Sequence, residues 1–305
     1  MRWNRLKGWV LRVAPRLVDR VPARVRPSLY RLHQPLARYL AATPYRRKYQ
    51  ARFLSPIDGD DDLLHYAFPL ANEYPVFHYY RAAQMYFKGG DWNTSDVERV
   101  LDEAGFPLRD ARAFLEFAAG YGRLTRHFVQ RLAPSRITVS DIDPCAVDFL
   151  RKRLGVNGFY SASTPEALNH PGRYDVVVVV SLFSHLPHHA WGPWLERLGR
   201  LLTPAGVLLF TAMNYDDADP EDFERQADGF LYRQQNETRG RLDTNDYGAA
   251  FVSEEYVERV VAEHFDGRLI RFAHHALLIA QDAYVLQRSD ATGLGARPHA
   301  AETAV

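Results

Sequence analysis

Cysteine is nearly absent. The single one among 305 residues, Cys145, excludes an internal disulfide and fits a reducing compartment. No run reaches the roughly 18 apolar residues that a membrane-spanning helix needs. The amino-terminal segment is interrupted by Arg or Lys every few residues, so it lacks the apolar stretch of a signal peptide. A cytoplasmic location is the expectation. Lysine is also scarce: Lys7, Lys48, Lys88 and Lys152 are the only four, and arginine carries the remaining positive charge. A formal net charge of +1 names no partner, and there is no internal repeat. At 47% hydrophobic, the chain can bury one large core, or a core plus a smaller lobe.

The charge is unevenly spread. Residues 1–50 hold thirteen Lys or Arg against one acid, Asp19, a local net of +12. Pro15, Pro22, Pro27, Pro35 and Pro44 break this extension (1–56) into short helical pieces. Trp3, Leu6, Trp9, Val10, Val13 and Leu17 recur at helical spacing between arginines. Three readings stay open: contact with an anionic membrane surface at its inner face, nucleic-acid binding without a recognisable reading module, and a solvated flank. No specific nucleic-acid partner is expected, and the oligomeric state is not legible.

Residues 57–110 read as a helical, aromatic cap region. Asn93-Thr94-Ser95-Asp96 predicts a helix start, and Gly105 its stop. From residue 111 strands and helices alternate. Apolar strands fall at 113–117, 137–140, 158–160, 174–181 and 206–212, with helices at 123–132, from Pro144, and at 191–202. The five consecutive valines within 174–181 predict a strand buried on both faces of a parallel sheet. Helix 253–265 is followed by strands 268–275 and 283–287 with no helix between, an antiparallel edge hairpin. The pattern predicts an α/β fold: a doubly wound, mostly parallel, seven-stranded sheet. It spans 111–288, carries a polar lid insertion at 213–250, and is followed by a disordered tail at 289–305.

The loop Glu116-Phe117-Ala118-Ala119-Gly120-Tyr121-Gly122 sits between the first strand and its helix. Glycines there let a backbone approach a ligand beside unpaired helical N–H groups, a feature common to nucleotide-binding folds. A sterically forced turn without ligand is the plainer alternative. Three details narrow the choice. Glu116 would repel a pyrophosphate but favour a cationic sulfonium with an amino-acid tail. Asp141, 25 residues further on, can accept both hydroxyls of an adenosine ribose, although an ordinary helix N-cap also uses Asp. Thr125 occupies the third position of a dinucleotide fingerprint, where it fits tight packing poorly.

Together, Glu116–Gly122, Asp141, the valine strand and the two-strand ending resemble the class I (Rossmann-like) S-adenosylmethionine-dependent methyltransferases, over about 111–288. Ser181-Leu182-Phe183-Ser184-His185-Leu186-Pro187 and Arg200-Leu201-Leu202-Thr203-Pro204-Ala205-Gly206 look like that family's fourth-to-fifth-strand passage. The resemblance implies S-adenosyl-L-methionine as cofactor. It places the methionine moiety at Glu116, Ala118, Gly120 and Gly122, with Ser181 nearby, the ribose at Asp141 and Ile142, and the adenine near Ser163. Tyr86 is the candidate cover from the preceding helix. Two departures stand out. No acid follows the third strand, which leaves the adenine to backbone groups, a serine or Glu166. The fourth strand ends in Ser181-Leu182-Phe183 instead of Asn/Asp-Pro-Pro-Tyr, which argues against DNA or protein-amide targets.

Methyl transfer needs an acceptor held in line with the sulfonium and, for a hydroxyl, a base. His185, just past the fourth strand, is the candidate base, with helix capping as its structural alternative. His188 and His189 read as exposed at a helix start. Asn214, Glu237, Tyr247 and His274 are the candidate acceptor contacts. A small or medium metabolite with an oxygen acceptor is favoured, such as a sugar, a glycolipid or a secondary metabolite. The rivals are a nicotinamide-dependent oxidoreductase on the same sheet, and a non-catalytic, membrane-associated cofactor-binding partner.

Overall fold

The computed structural model describes residues 60–61, 64, 79–219, 223–234, 243, 245–278 and 280–289. The basic segment 1–56 and the tail beyond 289 lie outside them. Five strands run parallel: β1 (Phe114–Phe117), β2 (Ile137–Asp141), β3 (Asn157–Tyr160), β4 (Tyr174–Val179) and β5 (Leu202–Asn214). Their spatial order is β3-β2-β1-β4-β5. β10 (Gln281–Arg288) pairs antiparallel with both β5 and β9 (Gly267–Leu277). These seven strands form the mostly parallel sheet and terminal hairpin that the alternating pattern predicts. Strand order reverses between β1 and β4, and open α/β sheets bind ligands at the carboxyl ends of such a switch point.

Both faces of the sheet are covered, which explains why β1 is buried at every position and β4 at all but one. On one face α4 (His188–Gly199) and α5 (Glu254–His264) pack Trp191, Leu195 and Val257 against Phe210 and Tyr284. On the other, α1 (Tyr79–Glu103), α2 (Thr125–Phe128) and α3 (Pro144–Leu154) bring Val97, Phe128 and Leu150 onto Phe114, Val176 and Leu209. Local signals set several boundaries. Asp143 caps α3 through Cys145 N–H, Pro144 opens it, and Gly155 closes it at φ 69°. Ser253 caps α5 through Tyr256 N–H.

Three expectations need correction. α1 does not start at Asn93 but runs unbroken from Tyr79. The capping-type residues bond elsewhere: Thr94 Oγ1 donates to Gly90 O (2.8 Å) and Ser95 Oγ to Asp91 O (3.0 Å), the i−4 pattern of a helix interior. Asn93 Oδ1 accepts Leu278 N–H at 2.9 Å, from the far end of the chain. The second correction concerns α2, which is only four residues long. Around it, His127 N–H bonds Leu124 O and Gln130 N–H bonds His127 O, tight turns in place of a helix over 123–132. The third is in the insertion, which contains an antiparallel meander: β6 (Glu224–Ala227), β7 (Phe230–Arg233) and β8 (Ala249–Val252). With these three the sheet has ten strands among the described residues.

The meander's position follows from β5. β4 ends where Val179 faces Phe210, but β5 continues to Asn214. β10 covers one edge of that extension, and β8 takes the other, pairing Phe251 with Met213 and Val252 with Asn214. The meander therefore sits past the carboxyl end of β4. Among the described residues no helix is long and apolar enough to cross a membrane.

Candidate active site

Past β1 the chain turns through left-handed backbone at Ala118 (φ 59°), Gly120 (53°) and Gly122 (72°). A Cβ on Gly122 would lie 2.3 Å from Leu150 Cδ2, so the loop packs against α3 only with glycine there. Ala118 holds its conformation at a cost on the order of 1–3 kcal/mol, the kind of strain that clusters at ligand sites.

Glu116 faces inward below this loop, 4% exposed. Thr125 Oγ1 donates to its Oε2 at 2.6 Å, so the threonine that fits a dinucleotide fingerprint poorly serves here as a carboxyl partner. Burial pushes the Glu116 carboxyl up to about 8; the Thr125 bond opposes the rise, Asp141 adds to it, and Arg126 opposes it. Asp141 closes β2. Its Oδ2 accepts Gly120 N–H at 2.7 Å and its Oδ1 accepts Asp143 N–H at 2.9 Å. Burial raises its carboxyl too, against those bonds. Ile142 N–H is a third backbone donor to it, and since a carboxylate has about four acceptor positions, about one remains. Beside it Ile142 is 44% exposed, one of the few large apolar side chains in the open among the described residues. Ser163 and Glu166 are exposed on the loop after β3.

Two residues past the end of β4, Ser181 is left-handed as well (φ 61°). Its N–H donates to Thr211 Oγ1 (2.9 Å), Thr211 donates to Gln281 Oε1 (2.6 Å), and Gln281 Nε2 returns to Ser181 Oγ (3.3 Å) and Ser184 Oγ (3.4 Å). His185 Nε2 lies 3.4 Å from Ser181 Oγ. Its Nδ1 is 2.8 Å from Gly248 O. A carbonyl only accepts, so Nδ1 carries the hydrogen and neutral His185 presents a lone pair at Nε2. Tyr247 stacks on the ring at 4.4 Å and 14°. The meander clamps this loop through two backbone bonds, Gly248 N–H to His185 O and Ala250 N–H to Ser184 O, both 2.8 Å.

Other candidates lie elsewhere. Asn214 and His274 meet each other and Asp282, not His185: Asn214 Nδ2 donates to Asp282 Oδ2 at 2.7 Å. Glu237 falls outside the described residues. Tyr86 has no exposed surface; its hydroxyl faces Asp61 at 3.3 Å, and Arg126 lies 5.2 Å over its ring. Burial, then Asp61, hold the Tyr86 hydroxyl well above its usual range. Sequence reasoning missed Arg126. Its Nε donates to Gly122 O (2.8 Å), its NH2 to Tyr121 O (2.9 Å) and to Asp61 Oδ2 (2.7 Å), which ties the loop from below. It also missed Thr211 and Gln281, which no local pattern marks. A cleft of about 560 Å³ beside Glu196, Arg200, His264 and Arg288 lies at the opposite end of the sheet. Position relative to the strand ends, not concavity, marks the site here.

The family model of a methyltransferase domain matches residues 115–208, from β1 into β5, and so spans the loop, Asp141 and His185. This segment carries a methyltransferase domain, on a sheet of the class I, Rossmann-like fold. A sugar N-methyltransferase from Streptoalloteichus sp. ATCC 53650 superposes at TM-score 0.50 and 14% identity, over 70% of this chain and 92% of that one. An S-adenosylmethionine-dependent methyltransferase from Clostridium acetobutylicum ATCC 824 gives 0.49 and 13%, over 70% and 99%. An amino pentose methyltransferase from Micromonospora echinaspora gives 0.47 and 18%, over 69% and 96%. At these identities the likeness is one of fold. No curated protein matches the sequence. The sheet extends beyond the matched segment to β10, and the meander is the part that touches His185.

Proposed function

We propose that the domain transfers the methyl group of S-adenosylmethionine to a hydroxyl of a small or medium-sized acceptor, such as a sugar, a glycolipid or a secondary metabolite. The observation that carries this reading is the pairing of Asp141 with the Gly120–Gly122 turn at the switch point, one strand from His185. When bound, the cofactor supplies an electrophilic methyl group on a sulfonium. Asp141 keeps an acceptor position for a ribose hydroxyl, Ile142 offers an apolar surface to the purine, and Ser163 is within the same strand-end region. Ala118, Gly120 and Gly122 shape the loop for the methionine moiety, with Glu116 below it. Tyr86 contributes from behind, through Asp61 and Arg126.

His185 Nε2 would take the proton of the acceptor hydroxyl, whose oxygen would receive the methyl group that the bound cofactor supplies. Gly248 O fixes the tautomer that makes this possible. Tyr247 and the meander cover that ring and exclude water. Calorimetry with S-adenosylhomocysteine and NAD tests the cofactor: NAD binding without S-adenosylhomocysteine binding would favour an oxidoreductase and sink the proposal. Transfer of labelled methyl to a fractionated cell extract, with sugar hydroxyl and amino-sugar standards, tests the acceptor. No labelled product in any fraction favours a non-catalytic binding partner. His185→Ala should lower turnover at saturating acceptor by roughly 10²–10⁴-fold; unchanged turnover would make the residue structural.

The basic segment 1–50 is read as a peripheral contact with anionic membrane, at the inner face. Equal pelleting of the full chain and of residues 57–305 with anionic liposomes would remove that reading.

A further inference from the structure

Successive side chains of a strand point to opposite faces of its sheet. His274 and His275 in β9 do not. Between the pairs Ala283↔Ala273 and Gln281↔Leu277, the single residue Asp282 of β10 faces three of β9, residues 274–276. The chain passes through this bulge at His275 with φ 45°, a left-handed value costly for a residue with a Cβ. Both imidazoles are thereby turned the same way, stacked with ring centroids 3.8 Å apart and 22° between planes.

What they share is Asp282. Its carboxylate is 1% exposed. It accepts His275 N–H (2.7 Å) and Asn214 Nδ2 (2.7 Å), and His274 Nδ1 lies 3.0 Å away. His275 Nε2 is 2.8 Å from Asp217 Oδ2. One donor atom from each of His274, His275 and Asp282 lies within 4.8 Å of the others, and both rings remain open to solvent.

The geometry points to a divalent metal site of the zinc type, held by His274, His275 and Asp282. Imidazole and carboxylate are donors that zinc and its neighbours in the first transition row accept. Around a tetrahedral ion with metal–ligand bonds of about 2.0–2.1 Å, ligand atoms lie about 3.3 Å apart, close to the His274–Asp282 separation. Asn214 and Asp217 bond to ligand residues and hold them in place, the arrangement that metal-binding histidines and carboxylates usually have behind them. The exposed side leaves a coordination position for water or an acceptor oxygen.

The site is distinct from the network under His185. Gln281 reaches Ser181 and Ser184 while its neighbour Asp282 reaches Asn214, so the two groups lie on opposite faces of β10. It needs no methyl transfer to exist, and its test does not depend on that activity.

The experiment is calorimetric titration of the chelator-stripped full chain with zinc chloride alone, alongside elemental analysis and thermal melts with and without zinc. The wild type should bind one equivalent saturably at micromolar zinc and melt at a higher temperature with it. His274→Ala removes an exposed ring and should keep the metal-free melting temperature. It should lower zinc affinity at least tenfold and abolish the zinc-dependent rise. Asp282→Asn should do the same if its metal-free melt shows it folded. Absence of saturable binding by the wild type would overturn the site. So would one-equivalent binding and an undiminished melting shift in the His274→Ala/His275→Ala protein, which would mean a hydrogen-bonded cluster only.

Discussion

A carboxyl group in a strand that is buried along its whole length ionises at a cost. Glu116 bears that cost, and its pKa of about 8 stands above the 4.5 of an exposed glutamate. Between those values the folded state holds a proton that the unfolded chain has released. The group's contribution to stability is therefore complete below about pH 4.5 and is lost as pH rises through about 8. A tenfold change in proton affinity corresponds to about 1.4 kcal/mol, so the effect is on the order of several kcal/mol. Urea unfolding at about pH 6 and about pH 9 should show the wild type weaker at the higher pH. Glu116→Gln, which can still accept from Thr125, should lack that component. The same proton bears on the cofactor. A cation above the loop favours the carboxylate, so S-adenosylmethionine affinity should rise with pH up to about 8 in the wild type and be flat in Glu116→Gln. A flat wild-type profile would leave Glu116 as a neutral support.

Elements past the strand ends decide what the acceptor meets, and here β8 matters most. Gly248 has no room for a side chain: a Cβ would lie 2.4 Å from Arg233 O and 2.5 Å from the Tyr232 hydroxyl. Gly248→Ala should push β8 from β7 at a cost of about 1–3 kcal/mol. The same shift would break the bonds that orient His185. Turnover should fall about tenfold or more while S-adenosylhomocysteine affinity, read by calorimetry, stays within about twofold, because orientation affects the reacting end and not the loop. Loss of both together would mean that the meander supports the whole site. β8 also shows where sequence reading stops. The strands of the main sheet are legible because each is a compact apolar run, and Glu116, Asp141 and His185 because they lie at or just past the ends of such runs. β7 and β8 are four residues each within a charged segment, and their burial comes from partners elsewhere. The start of α1 is not legible, because Asn, Thr and Ser cap helices and bond back within them equally well. Thr211 and Gln281, 70 positions apart, become partners only when β10 lies against β5. The same holds for His274 and His275, which share one side only because of a bulge.

At the scale of the whole molecule, the segment before the sheet is tied to the glycine turn after β1 by charge. Asp61 and Arg126 form a buried ion pair, with side chains 0% and 3% exposed. Asp61 Oδ1 also accepts Leu64 N–H at 2.9 Å, and its carboxylate receives the Tyr86 hydroxyl of α1. Arg126 in turn holds Tyr121 O and Gly122 O. One guanidinium thus joins Asp61, α1 and the glycine turn. Removing one partner of such a pair typically costs about 3–5 kcal/mol, because the other charge stays buried. Arg126→Ala should lower unfolding stability by about that much and weaken S-adenosylhomocysteine binding, since the loop carbonyls lose their donors. Asp61→Asn in the Arg126→Ala background should recover part of the stability, because the stranded charge is gone, but none of the binding. Recovery of both would mean that the loop keeps its shape without Arg126, and that the pair serves only to dock the preceding segment. Recovery of stability alone would make Arg126 the link through which the cap region sets the geometry of the turn.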